Sequence, residues 1–331
     1  MTNQPLHVAR LRLLGRDNGA GLTRELHLTA DMLRAVGLDT TVSGLPHRGR
    51  AAEWLTRLKM RIAPTDYDIN VFFERIRPEF IPGARRNVLI PFPEWFRDED
   101  RPHLQRIDEI WTKTHHASPL FEALGARVRF IGGTSFDRML PNEPRKHAFF
   151  HGPGRSGNKG TEALLKLWSE NPHWPKLTLI WRRKRMNVNE VPANVNWIRD
   201  FIDDDEYRRL QNAHRFHLCP SQTEGYGHYL VEAMSCGAVV VTLDAEPMNE
   251  MVTTERGMLV PAIPAGTQRL STLYGFTEVA MHEAIRRCIA MTESQAEVLG
   301  QAARAWFVAN SKAYPQRLKA IAEHLATKIR D

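Results

Sequence analysis

Residues 216–242 constrain the fold of this chain more than any other segment. A short apolar run ends at Pro220, a turn containing Gly225 and Gly227 follows, and a β-branched run closes the segment. This order predicts a strand, a turn, a helix and a second strand, and strands joined through a helix run parallel. Glycines let a ligand approach the backbone of a turn closely, and the amides at a helix N-terminus favour an anion. The segment therefore predicts a parallel α/β sheet with a ligand site at the carboxyl end of a strand.

The same alternation of strands and helices continues through the chain of 331 residues. The predicted strands are 7–14, 40–42, 68–73, 87–90, 109–112, 127–131, 148–150, 177–181 and 195–198, and the predicted helices include 22–36, 118–124 and 161–168. Turn residues at 142–146 interrupt the pattern, and a chain of this length is expected to form about two domains. We therefore predict two Rossmann-like α/β domains whose parallel sheets face a cleft. They span 1–144 and 145–312, and residues 313–331 form a C-terminal helix that crosses back to the first domain.

Composition excludes several classes of protein. The hydrophobic content of 42% and the charged content of 25% are those of an ordinary globular chain. No apolar run reaches the roughly 20 residues of a membrane-spanning helix, and the N-terminus lacks the basic start and apolar core of a signal peptide. The three cysteines are far apart, which fits a reducing compartment rather than a disulfide framework or a zinc site. We therefore expect a cytoplasmic protein.

The net charge of +7 favours acidic partners, namely nucleotide sugars, phospholipid head groups or nucleic acid. The sharpest basic segment is 47–62, in which Trp54, Leu55, Leu58 and Ile62 recur at helical spacing among arginine and lysine residues. A basic amphipathic helix can lie on an anionic membrane, so peripheral contact with the inner face of a membrane is one interpretation. The alternative, which we favour, is a surface helix whose apolar stripe packs on the protein core.

Two glutamates, Glu224 and Glu232, flank the glycine-rich turn and the start of the predicted helix. The segment 221–237 resembles the Glu-x7-Glu signature of retaining glycosyltransferases with the GT-B fold, most closely those of family four. The resemblance implies that Glu224 lies beside the hydroxyls of the donor sugar and that Glu232 binds the ribose of the nucleotide. It also implies that the turn offers backbone amides to the sugar and its diphosphate, through Gly225, Tyr226, Gly227 and His228. An ordinary strand-to-helix turn with a surface pair of glutamates is the alternative.

The segment 151–160 resembles the second phosphate loop of the same family. In that loop an arginine and a following lysine grip the donor diphosphate, and these roles would fall to Arg155 and Lys159. The spacing is shorter than in many members of the family. The physical reason for two cations is general, because a departing nucleotide diphosphate gains negative charge that fixed positive groups offset. The alternative is a basic helix start at the protein surface.

Two more segments carry donor-binding residues that the resemblance implies. One follows the first predicted strand, where Gly19 and Gly21 would face the donor phosphates and the acceptor. The other contains Arg199 and Ile202, between which backbone groups would hold the nucleobase. The implied site therefore draws on residues from both predicted domains.

The sequence departs from the family where a histidine usually follows a strand of the first domain. Glu74 stands near that position, after the predicted strand 68–73. It is either a catalytic group on the acceptor side, in place of the histidine, or a paired surface carboxylate. The acidic run 203–206 is expected to cap a helix rather than bind a metal, because acids at a helix start complement its dipole. We therefore expect no metal site and no cofactor other than the nucleotide-diphosphate sugar that serves as donor substrate.

These patterns together predict a retaining, metal-independent glycosyltransferase of the hexosyltransferase type, acting in the synthesis of a bacterial surface glycan or glycolipid. Its partners would be a nucleotide-sugar donor and a glycan, glycolipid or small-molecule acceptor, and nucleic acid is not expected. Three alternatives stay open: a non-catalytic binding subunit with the same fold, a sugar transferase that modifies DNA, and a nucleotide-sugar epimerase. The joint presence of Glu224, Glu232, Arg155 and Lys159 argues against the first, and a DNA-binding chain would need a continuous basic groove.

Overall fold

The computed structural model describes residues 8–17, 19, 21–45, 50–62, 66–154, 156–182 and 191–327. Arg155 and residues 47–49 of the basic segment therefore lie outside the described residues. The chain divides into two compact units, which are unit 1 (Met1–Gly133 with Ser311–Asp331) and unit 2 (Thr134–Asn310). Each unit is built on a largely parallel sheet with helices, as the alternation of strands and helices predicts.

Unit 1 begins the chain. Its strands are β1 (Arg10–Arg16), β2 (Asp39–Leu45), β3 (Tyr67–Phe73), β4 (Ala84–Ile90), β5 (Glu109–Thr112) and β6 (Val128–Phe130). Its helices are α1 (Gly21–Ala35), α2 (Arg50–Ile62) and α3 (Ala117–Glu122), with 3-10 turns at Ile81–Gly83, Pro93–Trp95 and Asp98–Arg106. The strands form one parallel sheet in the order β2-β1-β3-β4-β5-β6, so the order reverses between β1 and β3. Ligands of such sheets bind at the carboxyl ends of the strands, where the order reverses.

Unit 2 contains the elements that follow. Its strands are β7 (Lys146–His151), β8 (Leu177–Ile180), β9 (Val195–Ile198), β10 (His214–Leu218), β11 (Val239–Asp244), β12 (Met258–Gln268) and β13 (Ser271–Phe276). The helices are α4 (Thr161–Glu170), α5 (Asp204–Ala213), α6 (His228–Ser235), α7 (Met248–Met251), α8 (Glu278–Ala290) and α9 (Glu293–Thr327), of which α9 continues into unit 1. The strand order is β13-β12-β11-β10-β7-β8-β9, with only β13 antiparallel to its neighbour. The order reverses between β7 and β10.

The central strands of unit 2 explain why the secondary structure of the segment 216–242 could be predicted from the sequence. Strand β10 is buried throughout, and β11 is buried up to its last residue. Helices on both faces of a parallel sheet exclude water from its strands, so β11 is a nearly continuous apolar run. The polar residues of β10 are also buried, and each has a hydrogen-bond partner. The predicted strand, turn, helix and strand are therefore confirmed as β10, the turn, α6 and β11. The hairpin β12–β13 was not among the predicted elements.

The last part of α9 joins the core of unit 1. Tyr314, Leu318, Ala322 and Leu325 recur at helical spacing and are buried in the same apolar cluster as the residues of β1 and β3. The ammonium of Lys319 donates a hydrogen bond to a backbone carbonyl just after α1, at 2.8 Å. These contacts are the reason that Ser311–Asp331 belongs to unit 1.

The first boundary between the units lies earlier in the chain than residue 144, the end of the predicted first domain. Residues from Thr134 onward belong to unit 2, and backbone N–H groups of this segment donate hydrogen bonds to side chains elsewhere in that unit. The N–H of Arg138 donates to Ser235 Oγ at 2.9 Å, and the N–H of Leu140 donates to Asn212 Oδ1 at 2.9 Å. The turn residues at 142–146 therefore follow a segment that is already attached to unit 2.

Helix α2 does not pack its apolar stripe on the core, so the arrangement favoured from the sequence is wrong. The stripe residues Trp54, Leu55, Leu58 and Ile62 are 62%, 59%, 41% and 77% exposed. The helix instead contacts the unit through Met60, whose Sδ lies 3.6 Å from Arg12 Nη1. Neither α2 nor any other helix in the described ranges is long and apolar enough to cross a membrane.

Candidate functional site

Two loops meet at the carboxyl ends of β7 and β10, where the strand order of unit 2 reverses. One loop precedes α4 and ends at Gly160, and the other precedes α6 and ends at Gly227. The two glycines have positive φ values of 66° and 89°, which glycine adopts without strain. A Cβ on Gly160 would lie 3.0 Å from the carbonyl oxygen of Pro220, so the two loops touch. The fold thus brings both predicted phosphate-facing loops to one place.

Lys159 and Glu224, one from each loop, form an ion pair. Their side chains are only 11% and 12% exposed. Ser221 Oγ donates to Glu224 and contacts the hydroxyl of Tyr229, and the Lys159 ammonium lies 4.2 Å from the Tyr229 ring centroid. Burial raises the pKa of the Tyr229 phenol, so its hydroxyl stays neutral. The cluster fixes an ammonium beside a carboxylate, groups that suit a diphosphate and a sugar hydroxyl respectively.

Glu232 belongs to a second polar network, on the buried side of α6. Gln211 Nε2 donates to Glu232 Oε2 at 3.3 Å, and Gln211 Oε1 accepts from Arg138 Nε at 2.9 Å. Arg138 Nη1 also donates to Asp204 Oδ2 at 2.7 Å. Burial acts to lower the pKa of Arg138, but the hydrogen bond to Asp204 and the charge of Glu232 outweigh it and raise this pKa. The network therefore holds the carboxylate of Glu232 in a fixed orientation with a permanent cation nearby.

The remaining turn residues are fixed within unit 2. Gly225 and Tyr226 are buried, and the Tyr226 ring meets that of His228 edge-on, with 5.3 Å between centroids. His228 Nδ1 lies 2.6 Å from Ser135 Oγ. Helix α6 begins at His228, and the backbone amides of its first turn carry the positive end of the helix dipole. Tyr229 of that turn contacts both Lys159 and Ser221 through its side chain.

Two buried histidines connect the strands and helices at this edge of the sheet. His151 Nδ1 donates to the Leu218 carbonyl at 2.7 Å, and its Nε2 accepts from Thr161 Oγ1 at 2.9 Å. His217 Nε2 donates to the Gln211 carbonyl at 2.8 Å. Burial lowers the pKa of His151 to about 4 and that of His217 to about 3, so both imidazoles are neutral near pH 7. They tie β7 to β10 and α4, and β10 to α5, without adding charge to the site.

A small cavity lies at the same edge of the sheet. It is lined by Phe150, Gly152, Tyr207, Gln211, His217, Leu218, Cys219 and Tyr229. Ile202, which the resemblance assigns to the nucleobase segment, packs against the apolar cluster that contains Phe150. Arg199 of the same segment is exposed, and its guanidinium lies 4.1 Å from the ring centroid of Trp197. The side chain of Ile202 therefore lies near the cavity, and that of Arg199 stacks on a neighbouring indole. The predicted role of the backbone between them stays a prediction.

The acidic run at the start of α5 caps the helix, as predicted. Asp203 is the N-cap, and its Oδ1 accepts a hydrogen bond from the Glu206 N–H at 2.7 Å. Asp204 Oδ2 accepts a hydrogen bond from Arg138 Nη1. Within the described part of the chain, no group of three or more histidine, cysteine, aspartate or glutamate residues is arranged to hold a metal ion.

In unit 1, Glu74 directly follows β3 and has a φ of 67°, which is unusual for a residue with a side chain. Its N–H donates to the Ile90 carbonyl at 2.9 Å. Burial raises the pKa of the Glu74 carboxyl, and the charges of Arg75, Arg97, Arg16 and Arg77 act against this shift. A strained residue with a perturbed carboxyl, at the point where the strand order reverses, is a candidate functional group.

Gly19 and Gly21 also belong to unit 1, whereas the other described donor-binding candidates belong to unit 2. Gly19 has a φ of 58°, and its N–H donates to Asp17 Oδ1 at 3.2 Å and to Thr23 Oγ1 at 3.1 Å. Gly21 is the first residue of α1. Apart from its chain neighbours and, for Gly21, the backbone of its own helix, no described atom lies within 4 Å of the position that a Cβ would take on either glycine.

Sequence reasoning missed several residues that complete the site in unit 2. Ser221 and Tyr229 lie in the same segment as Glu224. They could have been identified from the sequence, because each places a hydroxyl group on one side of the glycine-rich turn. Arg138 and Gln211 support Glu232 from distant parts of the chain. No local pattern marks them, because the sheet topology brings them together.

This chain is similar in sequence and in fold to known glycosyltransferases. Residues 154–275 match the family model described as glycosyl transferases group 1. The alpha-maltose-1-phosphate synthase of Mycolicibacterium smegmatis is 24% identical over 243 residues, 67% of this chain. A glycosyltransferase structure from Rickettsia africae is 12% identical, with a TM-score of 0.71, over 96% of this chain and 98% of that one. The structure of Anabaena HepE with UDP and glucose is 18% identical, with a TM-score of 0.69, over 97% and 100% of the chains.

The matches differ in how much of each protein they cover. This chain matches 34% of the length of glycosyltransferase 335 of Sulfolobus islandicus rod-shaped virus 1 and 60% of the length of the alpha-maltose-1-phosphate synthase. The likeness to the two solved structures covers nearly the whole of each. The matched residues 154–275 contain Lys159, Glu224 and Glu232. Residues 154–275 are therefore a domain of the glycosyl transferases group 1 family, in a chain whose two parallel-sheet units have the GT-B fold.

Proposed function

We propose that this chain is a retaining, metal-independent glycosyltransferase that moves a sugar from a nucleotide-diphosphate donor to an acceptor hydroxyl. The observation that carries the proposal is the shielded pair of Lys159 and Glu224, with Glu232 on the adjoining helix, where the strand order of unit 2 reverses. The family match over these residues supports it, as does the UDP and glucose held by the similarly folded HepE. The acceptor is a glycan, glycolipid or small molecule, and synthesis of a bacterial surface glycan or glycolipid is the process that we propose.

Each group has a defined part in this proposal. Lys159, Arg155 and the first-turn amides of α6 bind the diphosphate and stabilise the negative charge that it gains on leaving. Glu224 accepts hydrogen bonds from sugar hydroxyls and keeps the anomeric carbon in place. The acceptor hydroxyl attacks from the face that the phosphate leaves, and the departing phosphate takes its proton. Since these positive groups supply the charge that a metal ion would otherwise offer, we propose that transfer needs no metal.

The direct test is a donor screen on the purified chain. UDP-, GDP- and ADP-sugars are compared by thermal shift, because a ligand that binds only the folded state raises the melting temperature. The donor that binds is then supplied with EDTA and candidate acceptors, and the anomeric configuration of the product is read by NMR. Retention without metal supports the proposal. Binding of no nucleotide sugar, or inversion, would refute it, and binding without hydrolysis or transfer would point to a non-catalytic subunit.

We expect Glu232→Gln to weaken donor binding by about tenfold to a hundredfold, the value of a hydrogen bond to a charged group. The amide keeps an oxygen that can accept from Gln211 Nε2, so the network behind it is preserved. Isothermal titration calorimetry with the best donor measures the affinity. The control is Glu283→Gln, which makes the same change at an exposed position and should leave the donor affinity unchanged.

The ribose assignment can be separated from a general loss of charge. If Glu232 binds a ribose hydroxyl, the substitution should weaken binding of the ribonucleotide much more than binding of the 2′-deoxyribonucleotide or 3′-deoxyribonucleotide. Equal losses for all three nucleotides would show that Glu232 acts on something other than the sugar of the nucleotide.

We propose that Glu74 hydrogen-bonds the acceptor in unit 1. Glu74→Gln should then lower kcat/KM for the acceptor by about tenfold or more, and leave the donor Kd unchanged. In the native protein, kcat/KM should fall as the pH drops through the raised pKa of Glu74, above its ordinary value of 4.5, because the ionised carboxylate accepts a stronger hydrogen bond than the protonated acid does. The glutamine variant should lack this acidic limb.

The control for Glu74 is Glu99→Gln, which alters a nearby carboxylate whose side chain is 74% exposed. It should keep both the acceptor kinetics and the acidic limb of the native protein. An unchanged pH profile in Glu74→Gln would contradict the acceptor role and favour the interpretation of Glu74 as a structural carboxylate.

A further inference from the structure

Helix α2 turns four large apolar side chains outward. Trp54, Leu55, Leu58 and Ile62 are each between 41% and 77% exposed. At about 100° per residue around a helix, these four positions fall within an arc of about 100°. Single exposed apolar residues are ordinary, but four on one stripe form a patch of the kind that marks an interaction surface.

The opposite face of α2 is the one that contacts unit 1. Thr56 and Met60 are partly buried, and Met60 Sδ lies 3.6 Å from Arg12 Nη1. The same sulfur would lie 2.9 Å from a Cβ on Gly83, so this face fits closely against the unit. The helix is therefore attached through its less apolar face. A helix whose task is to cover a core has the reverse arrangement.

Basic residues accompany the outward stripe. From Arg50 to Ile62 the sequence contains four basic residues and one acidic residue. Lys59 is exposed and lies about 40° beyond the stripe around the helix. An anionic bilayer offers both negative charge and hydrocarbon to such a helix. A protein partner would satisfy the apolar stripe, but it would not by itself account for the excess of positive charge.

We propose that α2 docks unit 1 on the surface of anionic lipid bilayers. The side chains of Trp54, Leu55, Leu58 and Ile62 enter the boundary between head groups and acyl chains, and Lys59 lies among the lipid phosphates. A few inserted side chains combined with surface charge give reversible binding, which salt weakens. The proposal does not rest on the proposed transferase activity.

Vesicle sedimentation with the full chain tests this docking. Vesicles of phosphatidylcholine alone are compared with vesicles that also contain phosphatidylglycerol, at low salt and at about 1 M salt, where charges are screened within about 3 Å. We expect at least about tenfold stronger binding to the anionic vesicles, and loss of that preference at high salt. Leu55→Ser with Leu58→Ser should weaken binding at least about tenfold, since two apolar side chains no longer enter the bilayer.

Two further variants keep the test decisive. Val298→Ser removes an apolar side chain that is 63% exposed on α9, and it should bind vesicles like the native chain. Lys59→Glu reverses one surface charge without touching the stripe, and it should weaken binding to the anionic vesicles alone. Equal binding to both kinds of vesicle would overturn the proposal, as would full binding by the double serine variant. Self-association of the native chain that the serine substitutions abolish would also overturn it, because the stripe would then be an interface between copies.

Discussion

Replacing Lys159 by methionine is expected to reduce sugar transfer by about 10²- to 10³-fold, the usual effect of losing one fixed group that stabilises a developing negative charge. It should also lower the free energy of unfolding by about 3 kcal/mol, because Glu224 is left as a shielded carboxylate without its ammonium partner. Methionine keeps much of the length and apolar volume of the lysine side chain. The loss is therefore one of charge rather than of packing.

A second substitution separates the two effects. In the double variant Lys159→Met with Glu224→Gln, both charges are gone and Ser221 Oγ can still donate to the side-chain oxygen. We expect the free energy of unfolding to recover most of its loss, and transfer to stay low. Denaturant titration measures the first, and steady-state turnover with the best donor measures the second.

A surface pair provides the matched control. Lys166 pairs with Glu278, and both side chains are about half exposed, so Lys166→Met should change neither stability nor turnover appreciably. If turnover recovered together with stability in the Lys159 double variant, the lysine would serve only to neutralise Glu224. The assignment of Lys159 to the donor diphosphate would then be wrong.

The free energy of unfolding is expected to fall by about 4 kcal/mol between pH 7.5 and pH 5, because of His151 and His217. Their pKa values in the folded protein are lowered by burial, to about 4 and about 3, from an ordinary value of 6.5. Below pH 6.5 the unfolded chain therefore binds protons that the folded chain does not bind. The stabilisation is complete above pH 6.5 and is lost as the pH falls towards the folded values.

Burial also lowers the pKa of His214, which adds to the acid sensitivity in this window, whereas two carboxyl groups titrate outside it. The pKa values of Glu109 and Asp137 are lowered in spite of burial, by hydrogen bonds to Arg129 and Arg304, so their stabilisation is lost only near and below the ordinary values of 4.5 and 3.8. Urea titrations at several pH values between 7.5 and 5 therefore report mainly on the buried histidines. Proton uptake by His151 and His217 on unfolding should rise from near zero at pH 7.5 to about two at pH 5, so the slope approaches about 2.7 kcal/mol per pH unit only at the acid end of this range.

His217→Gln tests the assignment directly. The glutamine amide can donate to the Gln211 carbonyl as the imidazole does, and it takes up no proton in either state. The slope of stability against pH should fall by between about a third and a half, because His151 and His214 still contribute. His173→Gln, at an exposed position, should leave the slope unchanged. A slope unaltered by His217→Gln would mean that other groups cause the acid sensitivity.

The sequence was sufficient wherever local pattern and burial agree. Strands β5 and β9 match their predicted bounds, since short apolar runs between turn residues have few alternatives in a buried parallel sheet. The turn that ends at Gly227 was recognisable because its left-handed conformation calls for glycine. The acidic start of α5 was predictable for a similar reason, since Asp203 caps the helix from within its own turn.

Other features could not be predicted, because they depend on contacts between distant residues. The hairpin β12–β13 ends the sheet of unit 2, and its strands hold Pro261, Pro264 and Gly266, which weaken any strand pattern in the sequence. The outward stripe of α2 has the same periodicity as an inward one, so the sequence alone favoured the wrong face. The support of Glu232 by Gln211 likewise has no local signal.

The sequence by itself determined the alternation of strands and helices and the glycine turn between Glu224 and Glu232, because both depend on residues close together in the chain. Only the tertiary structure decided that Lys159 pairs with Glu224 and that the stripe of α2 faces outward. Parallel strands that are distant in sequence end at one edge of a sheet, and which side chains meet there depends on strand order rather than on any local pattern.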